Sequence, residues 1–343
     1  MTDDGPAGAG AGERADDGAR ERAARVKAHA LSVGFDLVGV APPALPEAWA
    51  RYSRAMEAGY GAEMDWLTAN PDMRRDVRRV HAAARSVVVL GVSYADDAPG
   101  YLASPPAADE GYIARYARGK DYHAHIRQML VRLVRRFAED PELGYASTEH
   151  RIFVDTGPVL EKAFAARAGL GWIGKNTLLI NRPAGSWFFL AEVLTPLDLA
   201  FDQAETDHCG SCRRCLDACP TDAFPEPYVL DARRCIANWT IESADPVGVI
   251  EPDTLGQHVF GCDICQEVCP WNRRAVPTAQ LPLRARPDNI RPKLADLAAL
   301  SEAEFKARFP KSAVRRTDGL RLGQVVRLVQ ARNAAADAEG GSS

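Results

Sequence analysis

Cys209-Gly-Ser-Cys212-Arg-Arg-Cys215-Leu-Asp-Ala-Cys219-Pro220, followed later by Cys262-Asp-Ile-Cys265-Gln-Glu-Val-Cys269-Pro270, decides how this chain is read. The first stretch has the C-x2-C-x2-C-x3-C-P spacing of two-cluster ferredoxins. Three cysteines on a tight turn reach three irons of one cubane, and the fourth, half a turn further on, points to a second. The later stretch lacks one cysteine of that run, and the isolated Cys235 restores the number. Two clusters need eight thiolates, and the chain has eight cysteines. The spacing assigns Cys209, Cys212, Cys215 and Cys269 to one [4Fe–4S] cluster, and Cys219, Cys235, Cys262 and Cys265 to the other. Four-cysteine zinc sites also use CxxC pairs. Three cysteines at two-residue intervals would crowd a single tetrahedral ion, however, and the Cys-Pro endings fit ferredoxins better.

Outward from the cysteines, the 343 residues suffice for two domains, or for one with a compact insert. No apolar run reaches the roughly 18–20 residues that cross a bilayer. The N-terminus is rich in Ala, Gly, Asp and Arg, with no apolar h-region and no adjacent arginines, so it matches neither a Sec nor a twin-Arg signal. Residues 1–16 read as a disordered tail. These features place the protein in the cytoplasm with no membrane attachment, where thiols serve as metal ligands more often than as disulfides. The net charge of −4 is unevenly spread: Trp271–Ala335 carries 14 Lys/Arg against 5 Asp/Glu. Such a segment reads either as a polyanion-binding face or as a solvated helix surface.

Upstream, Ala19–Ser32 has helical periodicity, Phe35–Ala41 and Ser86–Tyr94 read as buried strands, and His123–Glu139 is an amphipathic helix. Ile152–Val154 is a short strand, Pro158 opens a helix to about Ala168, and Thr177–Ile180 and Trp187–Leu194 are strands again. The fold class is therefore α+β: an α/β domain over 17–200, a ferredoxin-like module over 201–272, a basic segment with short helices over 273–335, and a polar disordered end over 336–343. Gly169-Leu-Gly171-Trp-Ile-Gly174-Lys175-Asn176 matches GxGxxG, but a helix precedes it and a strand follows, the reverse of a dinucleotide fingerprint. It reads as a glycine-rich helix exit, with Lys175 and backbone amides open to a polar ligand. Asp155 stands at the mouth of a strand before a helix. It is either a carboxylate near a helix dipole or a general acid. Arg115–His123 is either a solvated loop with Asp121 capping the next helix or a clamp for an anionic ligand.

With these pieces in place, the chain resembles the epoxyqueuosine reductases, cobalamin-dependent iron–sulfur enzymes of tRNA modification. Phe35–Pro42, Ala114–His123, VDTGPVLEKAFAARAGLGWIGKNT (154–177), Ser186–Thr195 and Cys209–Asn272 carry the resemblance, within roughly residues 20–320. It implies a base-off cobalamin in the N-terminal domain, fed by the clusters and by an external low-potential electron donor. The implied substrate is epoxyqueuosine at the wobble position of a tRNA anticodon arm, the product is queuosine, and the protein acts as a monomer. The resemblance carries Asp155 over as proton donor to the epoxide oxygen, with its pKa raised once cofactor and substrate desolvate it. It also implies corrin contacts from Arg118, Lys175 and Leu179, with Arg78 beside them. The basic stretch would meet anticodon-arm phosphates, and Trp239 would stack a splayed base or serve the core. Two features depart from the family pattern: the chain stops near one helical pair instead of running into HEAT-type repeats, and Asn238-Trp239-Thr240 replaces more apolar residues. A reductive dehalogenase shares the same cofactors, but the twin-Arg leader usual there is not visible. A plain electron carrier would leave the upstream domain without a purpose.

Overall fold

The computed structural model describes residues 17–340, so the expected tail over 1–16 lies outside the described residues. At its centre is a four-stranded sheet ordered β1-β2-β7-β4, built from Leu37–Ala41, Ser86–Ser93, Phe188–Thr195 and Arg151–Phe153. Every pairing in it is antiparallel, and β2 and β7 run together from Ser86↔Thr195 to Ser93↔Phe188. Two small ladders complete the strands: β3 (Tyr112–Ile113) with β8 (His258–Phe260), and β5 (Trp172–Ile173) with β6 (Leu179–Ile180).

The valine-rich β2 is buried on both faces, as a β-branched run without alternation requires. Val88, Leu90 and Val92 face helices Asp17–Val33 and Tyr122–Glu139, which contribute Val26, Ala30, Ile126, Met129, Leu133 and Phe137. Val87 and Val89 face the short helix Glu161–Arg167, with Phe164 and Ala165 against them. Gly39 marks where that helix ends over β1. A Cβ there would lie 2.1 Å from the Ala168 carbonyl oxygen, so no larger residue fits.

The expectation of a separate cysteine module is not how the core is built. The larger cluster runs without a break through Ile236, Trp239 and Phe260 to Phe305, Val314, Val325 and Val329. The parallel β3–β8 pair bonds the two parts together. Short helices Leu294–Ala298 and Glu302–Arg308 follow the cysteine region as expected, but the last helix, Gly319–Gly340, runs past 336, where a disordered end was expected, and its apolar side closes that same core. The helix expected from Pro158 begins at Glu161, because residues 154–159 are used by an irregular loop at the mouth of β4.

Candidate active site

All eight cysteines are unpaired thiols. Burial, followed by the thiols of Cys269, Cys209 and Cys212, pushes Cys215 up to about 11. Burial and then Cys209 and Cys212 likewise raise Cys269. Cys265 is raised by burial and then by Cys235, Cys215 and Cys219, and Cys262 by burial with Cys265 and Cys235. The thiols of both cysteine runs and of Cys235 thus lie near enough to influence one another, Cys265 feeling Cys235, Cys215 and Cys219. Thiols of this kind keep their protons until iron displaces them. Among the described residues no three His, Cys, Asp or Glu close on a single ion, whereas a mononuclear zinc needs ligand atoms within about 2.3 Å of one point.

The glycine-rich stretch 169–176 turns out to hold the clusters' loops. Lys175 Nζ donates to the carbonyl oxygens of Gly210 (2.6 Å) and Cys212 (2.9 Å), and Asn176 Nδ2 donates to that of Cys265 (3.3 Å). One turn thus ties both cysteine runs to the β5–β6 ladder. Gly171 permits it: a Cβ there would lie 2.0 Å from the Ile180 carbonyl oxygen. Lys175 is therefore committed to the cluster loop.

Asp155 sits just past β4 with φ +59°, a left-handed conformation that costs a non-glycine residue roughly 1–3 kcal/mol and is retained where surroundings impose it. Its amide donates to Glu161 Oε1 at 2.8 Å. Tyr122 Oη donates to Asp155 Oδ2 at 2.7 Å, and His123 Nε2 lies 3.3 Å from the same oxygen. His123 Nδ1 is 2.7 Å from Asp121 Oδ1, and Tyr122 is stacked between His123 and Phe189. Hydrogen bonds to Asp121 and Asp155 outweigh burial and lift His123 to about 9. Burial alone would raise Asp155, but the hydrogen bonds from His123 and Tyr122 and the His123 charge hold it below the ordinary carboxylate value. In the free protein the proton therefore rests on the imidazole and Asp155 is a carboxylate. The expected rise in the Asp155 pKa is not a property of this state, because a cation stands beside it.

Lys162 keeps contact with solvent while the protein around it removes much of its hydration. Burial lowers its pKa, while Glu161, Cys265 and Asp155 oppose that shift. Asp155, Lys162 and Cys265 are thus near enough to act on one another electrostatically. Arg316, from the basic C-terminal segment, pairs with Glu242 at 2.7 Å and feels the charge of Asp155. A cavity of about 740 Å³ opens beside the Cys215 and Cys269 turns, lined in part by Arg115, Trp187, Arg214 and Arg273.

Comparison with known proteins fits this geometry. A family model described as "4Fe-4S double cluster binding domain" matches residues 208–272, and one described as "Epoxyqueuosine reductase QueG, DUF1730" matches residues 74–156. Epoxyqueuosine reductase of Pseudomonas aeruginosa is 44% identical over 299 residues, covering 85% of this chain and 80% of that protein. The Synechocystis protein of the same name is 43% identical over 285 residues, covering 81% and 95%. The chain belongs to the epoxyqueuosine reductase family. It is thus an oxidoreductase carrying two [4Fe–4S] clusters. A solved epoxyqueuosine reductase with an epoxyqueuosine-modified tRNA-Tyr stem loop superposes with a TM-score of 0.81 at 28% identity, covering 91% of this chain and 82% of that one.

Within this member of the family, several expected contacts serve other ends. Arg118 is fully buried, donating to the Ile113 carbonyl oxygen (2.9 Å) and to Asp96 (3.3 Å) under the Tyr112 ring. Leu179 is buried in the smaller core. In this conformation neither has surface to offer a ligand. Arg78 is exposed and chelates Asp76. Trp239 is a core residue, 5% exposed, with Nε1 donating to the Arg233 carbonyl oxygen. It has no face free for stacking a base. The sequence reading passed over Glu161, Lys162, Glu192 and Arg316. Only Glu192 carried a signal, as the one charge in the apolar strand FFLAEVLT.

Proposed function

We propose that this chain reduces epoxyqueuosine in tRNA to queuosine, with Asp155 delivering the proton to the departing epoxide oxygen and His123 holding that proton in reserve. The observation that carries the reading is the Asp155–Tyr122–His123 contact set, next to a lysine, Lys162, that feels both Asp155 and Cys265. An epoxide C–O bond breaks to a strongly basic alkoxide unless the oxygen is protonated as it leaves, and a positioned acid typically contributes 10²–10⁴-fold. Converting that oxygen to water takes two electrons and two protons. The imidazolium, 3.3 Å from Asp155 Oδ2, can load the carboxylate for the first transfer, and solvent would supply the second proton.

A cobalamin would lie between Asp155 and Cys265, where a carboxylate, the Lys162 cation and a cluster ligand are within mutual electrostatic reach. When bound, that group supplies the low-potential metal chemistry that one-electron clusters feed. Lys162, Tyr122, His123 and Asp155 would face it, with Arg78 at the periphery. Arg118, Lys175 and Leu179 would support the walls. Electrons from an external donor would enter at the Cys209/Cys212/Cys215/Cys269 cluster, beside the arginine-lined cavity. Arg316 and the basic segment would meet phosphates of the tRNA arm, contributing affinity and not sequence choice. No helix among the described residues is long and apolar enough to cross a membrane, in keeping with work on tRNA in the cytoplasm.

The test is Asp155→Asn, assayed on an epoxyqueuosine-containing tRNA stem loop with a low-potential reductant, followed by nucleoside digestion. Queuosine formation should fall at least about 10²-fold with iron content unchanged. Turnover near wild type would remove Asp155 from the mechanism.

A further inference from the structure

Glu192 is the most anomalous residue in the sheet. It lies on β7, opposite Val89 of β2 and Phe153 of β4, and it is 0% exposed. Alternation along the strand turns it toward the face holding Phe188 and Leu194, the small apolar core beneath helix Glu161–Arg167. Neither carboxyl oxygen has a hydrogen-bond donor among the described residues, and no cation is paired with it. An isolated buried carboxylate is too costly to persist, so such a group stays protonated or finds a partner. The one acidic side chain against it is Glu161, which opens the helix above. Burial comes first in raising both carboxyls; the charge of Glu161 follows for Glu192, whereas for Glu161 the charge of Asp155 follows and the hydrogen bond with Glu192 works the other way, lowering it. Asp155 and Lys162 are the other charged groups facing the pair, with His123 and Tyr122 behind Asp155. Val89 and Phe153 add none.

We propose that Glu192 and Glu161 share one proton and act as a positioning latch: Glu192 donates to Glu161, and Glu161 accepts the Asp155 amide. The latch holds the left-handed turn at Asp155, two residues beyond the Phe153 that pairs with Glu192. Glu192 touches neither substrate nor cofactor, so it acts only through Glu161 and the loop. The pair works best with a single proton on board. With both carboxyls protonated, Glu161 is a weaker acceptor for the amide. As pH rises, Glu161 ionises first while Glu192 keeps its proton, and the amide bond tightens.

This role rests on the proposed part played by Asp155, so its test reads the loop and not the chemistry alone. Amide hydrogen exchange of the cluster-loaded protein is followed in the peptide covering residues 152–160, as protection factors over about pH 5–9. In the wild type, protection of this peptide should rise with pH. Glu192→Gln keeps a neutral donor but removes the second ionisable carboxyl. Its protection should be high and should still rise with pH, because Glu161 still titrates, and its queuosine formation should be at least tenfold above that of Glu192→Leu, with unchanged KM for the stem loop. Glu192→Leu should lose protection in this peptide while other sheet peptides keep theirs. Loss of protection in Glu192→Gln, which keeps a neutral donor, overturns the latch even if the leucine variant fails to fold, as does full protection in Glu192→Leu. If Asp155→Asn keeps its turnover while the exchange results hold, the proton-donor reading fails and the latch stands.

Discussion

His123→Gln separates a proton reserve from an ordinary hydrogen-bond neighbour. In the wild type the Asp121 and Asp155 carboxylates lift the imidazole to about 9. At about pH 8 it is then about 90% protonated, against about 3% for an imidazole at its usual 6.5, roughly a thirty-fold larger reserve. The sign follows from the shift: the reserve is full below the folded value and is lost as pH rises through it. Queuosine formation should therefore show an alkaline limb near pH 9. Glutamine keeps a donor for Asp155 Oδ2 but carries no transferable proton. Its turnover should drop about 10²-fold, and the limb near 9 should disappear. The His123 hydrogen bond and charge are also what hold Asp155 low. Without them burial dominates, the Asp155 carboxyl rises, and residual activity shifts toward acid pH. The assay is single-turnover conversion of a modified stem loop by pre-reduced protein across the pH range, with nucleosides quantified after digestion. A variant that keeps both the limb near 9 and turnover within about threefold would show that the proton does not come through His123.

Two further outcomes concern the clusters. Cys235→Ser should cut iron content to about half and abolish turnover, because Cys235 supplies the fourth thiolate of one cluster; full iron loading would reassign that ligand. Lys175→Met removes two charge-assisted hydrogen bonds to the Gly210 and Cys212 carbonyls, together worth a few kcal/mol. Clusters should bleach faster in air while affinity for cobalamin is unchanged, and the opposite pattern would return Lys175 to the corrin.

What the sequence made legible depended on how local each signal was. Cysteine spacing is local, and the double-cluster domain read from it is the one a family model matches over 208–272. The buried strands were legible too, since β2 and β7 are apolar on both faces and nothing else stabilises such runs. Boundaries slipped where tertiary contacts overrode local cues: the loop over 154–159 delayed the helix expected at Pro158, and the core extended the C-terminal helix through 340. The double-cluster module over 208–272 was legible as well, but not how its apolar residues join the upstream core. Trp239 and Phe260 are spaced like residues of a small domain, and only the fold reveals that their side chains complete the N-terminal core.

The site divides along the same line. Asp155 could be found through its motif, but the groups that set its chemistry come from three distant segments. Tyr122 and His123 stand at a helix start, Glu161 follows six residues later, and Glu192 arrives from the central strand. Sequence placed Arg118, Lys175 and Leu179 near a ligand because they occupy glycine- and arginine-rich motifs. The structure gives those motifs another burden, since Lys175 and Asn176 bind backbone carbonyls in both cysteine runs. A motif that anchors two cluster loops is constrained in sequence as tightly as one that touches a ligand, so resemblance alone could not tell the two apart. Side chains with no partner distinguish them better. A fully buried Glu192 without a donor is a demand the fold has to meet, and the only acidic group against it leads, through one amide, to Asp155.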